Sequence, residues 1–355
     1  MSSNLSAPIG QDITEAVLAL KQGKLLGFPT ETVYGLGADA LNEKAVSAVF
    51  SAKGRPIDHP LIIHIAGVEA LAEWAVEIPS IAWSLAETFW PGPLTLVLKK
   101  HPRVPIIVTG GQDTVALRVP NHPVALSLLQ AFGGGIVGPS ANQYQRVSPT
   151  CAADVAEELG AQLAYILEGG FCSVGIESTI VACHPDNSVQ ILRQGAILPS
   201  AIKMVMKQSP LGPDAPIQAT AGTAPRVPGS SAIHYAPKKP VFRAAFEDLL
   251  ETLLGLLAQS VQPMVSVLAF SPKPAALEAW HTLKWEQVPY DSTAYQQQLY
   301  GRLRAFDKSA FEQLWIEAVP EDNDAWLAIR DRLQRATTKV LLPTHGKSRS
   351  LGRSF

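Results

Sequence analysis

Apolar positions near the start of the chain recur with a helical period. Ile13, Ala16, Val17 and Leu20 share one face, Asp12 followed by Glu15 reads as a capping box, and Gly23 reads as the stop. The pattern then shortens. LLGFP (25–29), PLIIHI (60–65), PLTLVL (93–98), TVALRV (114–119) and GIVG (135–138) read as buried strands, whereas NEKAVSAVFSAKG (42–54) reads as a helix capped by Asn42. CAADVAEELG (151–160) adds a helix, and AYILEGG, STIVAC and VQILRQG add strands or strand ends. Helices and strands mix without strict βαβ alternation, so residues 1–208 are expected to form one α/β domain around a twisted mixed sheet.

Residues 209–240 hold seven prolines and three glycines with no apolar period, so no regular element is expected there. A structureless segment of this length is either a tether or a lid. The HYAP stretch near its end is richer than a tether needs, which favours a lid. Residues 241–342 then alternate: helix FEDLLETLLGLLAQ, strand MVSVLAF, helix TAYQQQLYGRLRAF, strand LWIEAVP and helix DAWLAIRDRLQRAT. That order predicts a small doubly wound, Rossmann-like parallel sheet. Residues 343–355 read as a basic tail.

With 355 residues, 47% hydrophobic and 17% charged, the chain has enough apolar surface for a full core and is long enough for two domains. A formal net charge of −2 argues against a protein whose main work is coating nucleic acid. Seven Lys or Arg against the single acid Asp331 in residues 330–355 allow a local tRNA or partner contact, although a solvated terminus explains them as well. Three cysteines without a C-x-x-C pair suit a reducing compartment, and no apolar run of membrane-spanning length or secretory leader pattern is visible. A cytoplasmic location is expected.

Gly35, Gly37 and Ala40 match the G-x-G-x-x-A spacing of a dinucleotide turn, but the polar cluster Thr30, Glu31, Thr32 and Tyr34 stands where the strand should lead directly into that turn. The dinucleotide reading is therefore rejected. No Walker A pattern and no zinc-ligand spacing occurs. Lys53 and Arg55 pair a compact point charge with a planar fork, a combination suited to a phosphate chain, although cations in a last helical turn also complement the helix dipole. Gly138, Ser140 and Asn142 in GPSAN could bring backbone and neutral donors to the same anion, and His64 lies on a strand close enough to share the cavity. These residues predict an anion-binding cavity for a phosphorylated ligand and stop short of a reaction.

FPTETVYGLGADA, KGRP with PLIIHI, FWPGPLT, TVALRVPNHP, GPSAN, SPT, GIESTIV, LRQGAI and HYAP follow one another between residues 28 and 237. In order and spacing they resemble the YrdC-like threonylcarbamoyl-AMP synthases, and the linker with its second α/β domain resembles the long form. The resemblance implies that L-threonine, bicarbonate and ATP give threonylcarbamoyl-AMP and pyrophosphate, with Mg²⁺ accompanying ATP. A downstream tRNA threonylcarbamoyl transferase complex would take the product to tRNA, leaving any tRNA contact of this chain weak or indirect.

Carried over by motif, Lys53 and Arg55 would be catalytic, and Thr32, His64, Arg118, Ser140 and Ser178 would hold threonine. Lys53, Arg55, His59, Thr114, Asn142, Ser148, Arg193, His234 and Tyr235 would contact ATP. No protein ligand for a metal is implied. His59 stands where the family usually has Asn, and SANQYQRVSPT lacks the usual Ser-Gly after the Asn. Two rival functions use the same cavity: an RNA-binding module, and a regulator that binds a nucleotide without turnover.

Overall fold

A computed structural model describes residues 6–208, 224–229, 235–321 and 323–337. The first unit carries ten strands, β1 (Ile9–Gly10), β2 (Leu26–Phe28), β3 (Gly35–Asp39), β4 (Ile62–His64), β5 (Leu94–Lys99), β6 (Thr114–Arg118), β7 (Ile136–Val137), β8 (Tyr165–Leu167), β9 (Thr179–Cys183) and β10 (Val189–Arg193). They form one mixed sheet in the order β1-β8-β2-β3-β7-β4-β6-β5-β9-β10. Around it pack α1 (Ile13–Lys21), α2 (Glu43–Lys53), α3 (Leu71–Trp74), α4 (Ser80–Phe89), α5 (Pro123–Phe132), α6 (Ala152–Leu159) and α7 (Pro199–Gln208).

The local signals act as physics requires. The Asp12 carboxylate accepts from the amides of Thr14 and Glu15 at 2.8 and 3.2 Å, satisfying two donors that the first turn leaves open, but the box is not reciprocal, because the Asp12 amide donates to the Tyr165 hydroxyl at 3.1 Å and not to Glu15. Asn42 caps α2, and Gly54 ends it with φ +62°, a conformation that costs glycine nothing.

Several elements lie outside the sequence expectation. GLGAD, which matches the dinucleotide-turn spacing in part, is the buried strand β3. A Cβ on Gly35 would stand 2.6 Å from the Phe28 ring, so the G-x-G spacing serves close packing of β3 on β2. The helices α3, α4, α5 and α7 are further additions. The first and third strands of the second unit, in chain order, are others.

That unit is a four-stranded sheet of β11 (Val241–Ala244), β12 (Val265–Ala269), β13 (Leu283–Gln287) and β14 (Gln313–Glu317), ordered β11-β14-β12-β13 with every pairing parallel. Its helices are α8 (Phe246–Leu257), α9 (Ser292–Lys308) and α10 (Leu327–Ala336). Side chains alternate between two cores: Val265, Val267, Ala269 and Trp315 meet α8, while Leu268, Leu314 and Ile316 meet α9 and α10. Helices on both faces are the doubly wound arrangement expected from the element order.

The two units share apolar packing. Val33, Val147 and Ile176 of the first cluster with Tyr235 and with Leu299, Tyr300 and Leu303 of α9. Beside them the buried Arg304 donates to the Val147 carbonyl at 2.8 Å and meets Asp154 at 3.1 Å and Glu158 at 3.2 Å. A long cation buried in this way is held by several acceptors, which fixes the docking geometry.

Candidate functional site

The C-terminal ends of β4 and β6, the entrance to β9 and the segment after β7 converge on a cavity of about 480 Å³ including its mouth. Thr32, Arg55, His64, Arg118, Ser140, Ser178, Arg193 and Tyr235 all line it, as the motif reading expected of a common cavity. Glu177, Gly138, Pro228 and Gly229 complete much of the wall. The parallel pairing of β4 with β6 places His64 opposite Arg118, so two adjacent strand ends deliver two of these side chains together.

At one end Arg118 is held by three groups. Its guanidinium meets Glu31 at 2.6 Å, donates to the Thr32 hydroxyl at 2.9 Å and to the Gly92 carbonyl at 3.2 Å. Thr32 is fixed in turn by Thr30, whose hydroxyl lies 2.9 Å away and donates to the Val33 carbonyl. A fork locked before any ligand arrives loses little entropy on binding one. His64 lies beside it, edge-on to Phe28 at 5.5 Å. Burial, followed by the nearby Arg118 charge, lowers its pKa to about 3, so the ring is neutral at physiological pH. Its Nδ1 is buried without a hydrogen-bond partner.

Toward the linker the cavity turns cationic. Arg193 donates to the Ser178 carbonyl, the Ser178 hydroxyl and the Pro228 carbonyl, each at 3.0 Å. The register of β10 on β9 shifts between Ile191 and Arg193, a bulge of the kind that re-aims a side chain. Arg55 donates to the Pro60 carbonyl at 3.0 Å while its Nε is buried without a partner. Burial lowers its pKa to about 10, which still leaves it charged. The Ser178 hydroxyl also meets Thr95 at 2.7 Å.

Other expected residues stand away from the cavity surface. Lys53 is buried behind it, and its ammonium donates to the carbonyls of Ser140 and Asn142, both at 2.5 Å. Burial and then the Arg55 charge hold its pKa well below the ordinary lysine value. Asn142 spends its amide on the carbonyls of Gln143 and Arg146. Ser148 donates to Glu177 at 2.6 Å. The structure does not bring Thr114 or His59 to this cavity. Thr114 begins β6, four residues from Arg118, and opens on another cleft with Lys99 and His184; four extended residues span roughly 13 Å. His59 packs against the Tyr144 ring at 5.7 Å. His234 lies outside the described residues, as do 209–223 and the tail 343–355.

Glu177 is the principal residue that motif chemistry passed over. It stands beside Ser178 in GIESTI, and its Oε2 accepts from Tyr300 at 2.7 Å and from Arg332 at 3.0 Å, both in the C-terminal unit. Nothing local in the sequence signals partners more than a hundred residues away.

A family profile described as "Telomere recombination" matches residues 18–195, and one described as "Threonylcarbamoyl-AMP synthase, C-terminal domain" matches residues 197–338. Threonylcarbamoyl-AMP synthase of Pyrococcus abyssi is 37% identical over 90% of this chain and 92% of its own length. The Bacillus subtilis enzyme of that name is 37% identical over 91% and 92%. The crystal structure of P. abyssi Sua5 complexed with L-threonine superposes with a TM-score of 0.81 at 34% identity, covering 94% of this chain and 97% of that one. In sequence, domain composition and fold, this chain therefore belongs to the two-domain threonylcarbamoyl-AMP synthase family.

Proposed function

We propose that this protein is an L-threonylcarbamoyladenylate synthase, a nucleotidyltransferase that joins L-threonine, bicarbonate and ATP into threonylcarbamoyl-AMP with release of pyrophosphate. One observation carries the reading: a single cavity is lined both by the pre-set Arg118–Thr32 pair and by the guanidiniums of Arg55 and Arg193. The first pair suits an amino-acid carboxylate and hydroxyl, and the second suits a phosphate chain. The likeness to a relative solved with L-threonine supports the amino-acid end.

The chemistry asks little of a protein base. Bicarbonate takes up a proton and loses water to give carbon dioxide; threonine's amine adds to that carbon and loses a proton, giving a carbamate whose oxygen attacks the α-phosphorus. The new P–O bond forms as the bond to the β-phosphate oxygen breaks, and the electron pair leaves with pyrophosphate. Aligning two anions and stabilising the charge on the leaving group are then the protein's tasks. Arg118 and Thr32 hold the amino acid, neutral His64 borders it without adding charge, and Arg55 and Arg193 meet the phosphates. Lys53 supports the Ser140–Asn142 segment from behind, and the linker wall of Pro228, Gly229 and Tyr235 keeps water from the mixed anhydride.

Mg²⁺ is expected with ATP, yet the described residues contain no group of three or more His, Cys, Asp or Glu that could hold a metal. Glu177 on the cavity wall and Glu31 beside Arg118 are already engaged by arginines. No step is assigned to a protein-held ion, and Mg²⁺ enters this reading as the counter-ion of the nucleotide.

The product is destined for a tRNA threonylcarbamoyl transferase complex, and ATP and free threonine as substrates imply the cytoplasm. No helix among the described residues is long and apolar enough to cross a membrane. Pyrophosphate release measured with every combination of the three substrates tests the function. Release is expected only with all three, and ATP hydrolysis indifferent to threonine would overturn the reading.

A further inference from the structure

Glu177 presents a difficulty for a site that must attract a triphosphate. It lines the same cavity as Arg55 and Arg193, and a carboxylate among phosphate-binding guanidiniums opposes the anion it faces. In this fold its charge is taken up from behind. Arg332, on α10 of the C-terminal unit, is wholly buried and donates through Nε to Glu177 Oε2 at 3.0 Å, while Tyr300 on α9 donates to the same oxygen at 2.7 Å. Ser148 donates to the other oxygen at 2.6 Å. The second acid near Arg332, Asp331, is shared: it meets Arg332 at 2.6 Å and Arg335 at 2.9 Å.

We infer that Arg332 is a positioning residue: from the C-terminal domain it neutralises Glu177, so that Arg193 and Arg55 stay electrostatically available to the phosphates of ATP. The same guanidinium supports the linker, since it lies 5.0 Å from the Tyr235 ring, which stacks on Tyr300 at 5.6 Å. Burial alone would push the Glu177 carboxyl up; the charges of Arg332 and Arg193 and the hydroxyls of Ser148 and Tyr300 outweigh it and hold the group ionised. Arg193 is thus the charge next in line for Glu177. Without Arg332, the carboxylate would pair with Arg193 and withdraw it from a ligand. The C-terminal domain accordingly acts on the reaction through charge cancellation as well as through contact area.

This inference rests on the cavity being an ATP site, and the test separates the two claims. ATP with Mg²⁺ is titrated calorimetrically into wild type, R332M, E177Q and R332M/E177Q, and KM is measured for ATP and for threonine. R332M is expected to bind ATP about tenfold more weakly or worse, with a smaller change in KM for threonine. Removing the uncompensated carboxylate as well, in R332M/E177Q, is expected to recover most of that loss, and E177Q alone is expected to bind ATP at least as tightly as wild type. If R332M does not fold, the double variant is compared with wild type instead: ATP binding within a fewfold of wild type supports the role, and binding about tenfold weaker overturns it. A folded double variant as weak as R332M, or weaker ATP binding by E177Q alone, would overturn the charge-cancelling role and leave Arg332 as a docking contact. Wild type that binds no ATP would overturn the synthase reading and the inference with it.

Discussion

At the residue scale, burial decides what an ionisable group does. His64 sits on a strand with a neutral ring because desolvation and Arg118 disfavour its cation. The unfolded chain takes a proton on this histidine near pH 6.5, whereas the folded chain refuses it until about pH 3. The unfolded state therefore binds more protons in that window, and stability falls as pH falls, by up to about 1.4 kcal/mol per unit. Denaturant unfolding at pH 7.5, 6.0 and 5.0 is expected to show a shallower decline for H64Q than for wild type; equal slopes would contradict this account. Lys53 differs from an ordinary helix-end cation, which contributes only about 0.3–1 kcal/mol. Its ammonium holds two carbonyls of the Ser140–Asn142 segment in a buried setting, so K53A is expected to lower the melting temperature as well as turnover. A variant with wild-type melting and lost turnover would return Lys53 to a purely catalytic role.

At the element scale, the site depends on where strands stop and how closely they approach. Gly138 follows β7 directly, and a Cβ there would lie 2.7 Å from His64 Nδ1 and 2.7 Å from the Phe28 ring. G138A should therefore push the His64 ring into the cavity. Threonine-dependent pyrophosphate release is expected to fall by about tenfold or more, with KM for threonine raised, because near-attack geometry tolerates little displacement. Unchanged KM for threonine would show that the ring does not border the amino acid. The linker is an element of a different kind. Its described part is anchored by Arg226, which meets Asp58 at 2.6 Å and donates to the Gly110 carbonyl at 3.0 Å, and the next residues form the cavity wall. Cleavage sites on the linker are expected to become protected when threonine and ATP are added together, as limited proteolysis can show.

At the scale of the whole molecule, the C-terminal domain braces the cavity wall from behind. Arg304 is sunk into the first unit against Val147, Asp154 and Glu158, and Arg332 and Tyr300 reach Glu177. Cutting the chain after Gln208 would leave Asp154 and Glu177 without these cations and expose the apolar patch around Val33, Val147 and Ile176. The isolated first unit is expected to be less stable, since removing one partner of a buried ion pair costs roughly 3–5 kcal/mol, and its ATP-dependent synthesis is expected to fall by orders of magnitude because Glu177 is left uncompensated among the phosphate-binding guanidiniums. Full activity from residues 1–208 would show that the second domain is dispensable for the adenylate step.

Sequence alone determined what depends on near neighbours. The caps of α1 and α2 need only a side-chain oxygen two or three residues from an open amide, and the apolar strands announce themselves by composition, so the mixed α/β unit and the parallel C-terminal sheet were legible. The motifs also gathered Thr32, Arg55, His64, Arg118, Ser140, Ser178, Arg193 and Tyr235 on one cavity, because each lies at or near a strand end or in a segment that the sheet order brings together. Three matters were decided only by tertiary structure. Gly35 and Gly37 serve a strand and not a turn: pairing with β2 and β7 makes the segment a strand, and the Phe28 ring leaves no room for a Cβ at Gly35. Thr114 and Ser148, alike as polar residues near the motifs, part company through strand length and through the acid that claims the Ser148 hydroxyl. The role of Glu177 depends on Tyr300 and Arg332, 123 and 155 residues further along, and a charge balance set at that separation has no local sequence signature.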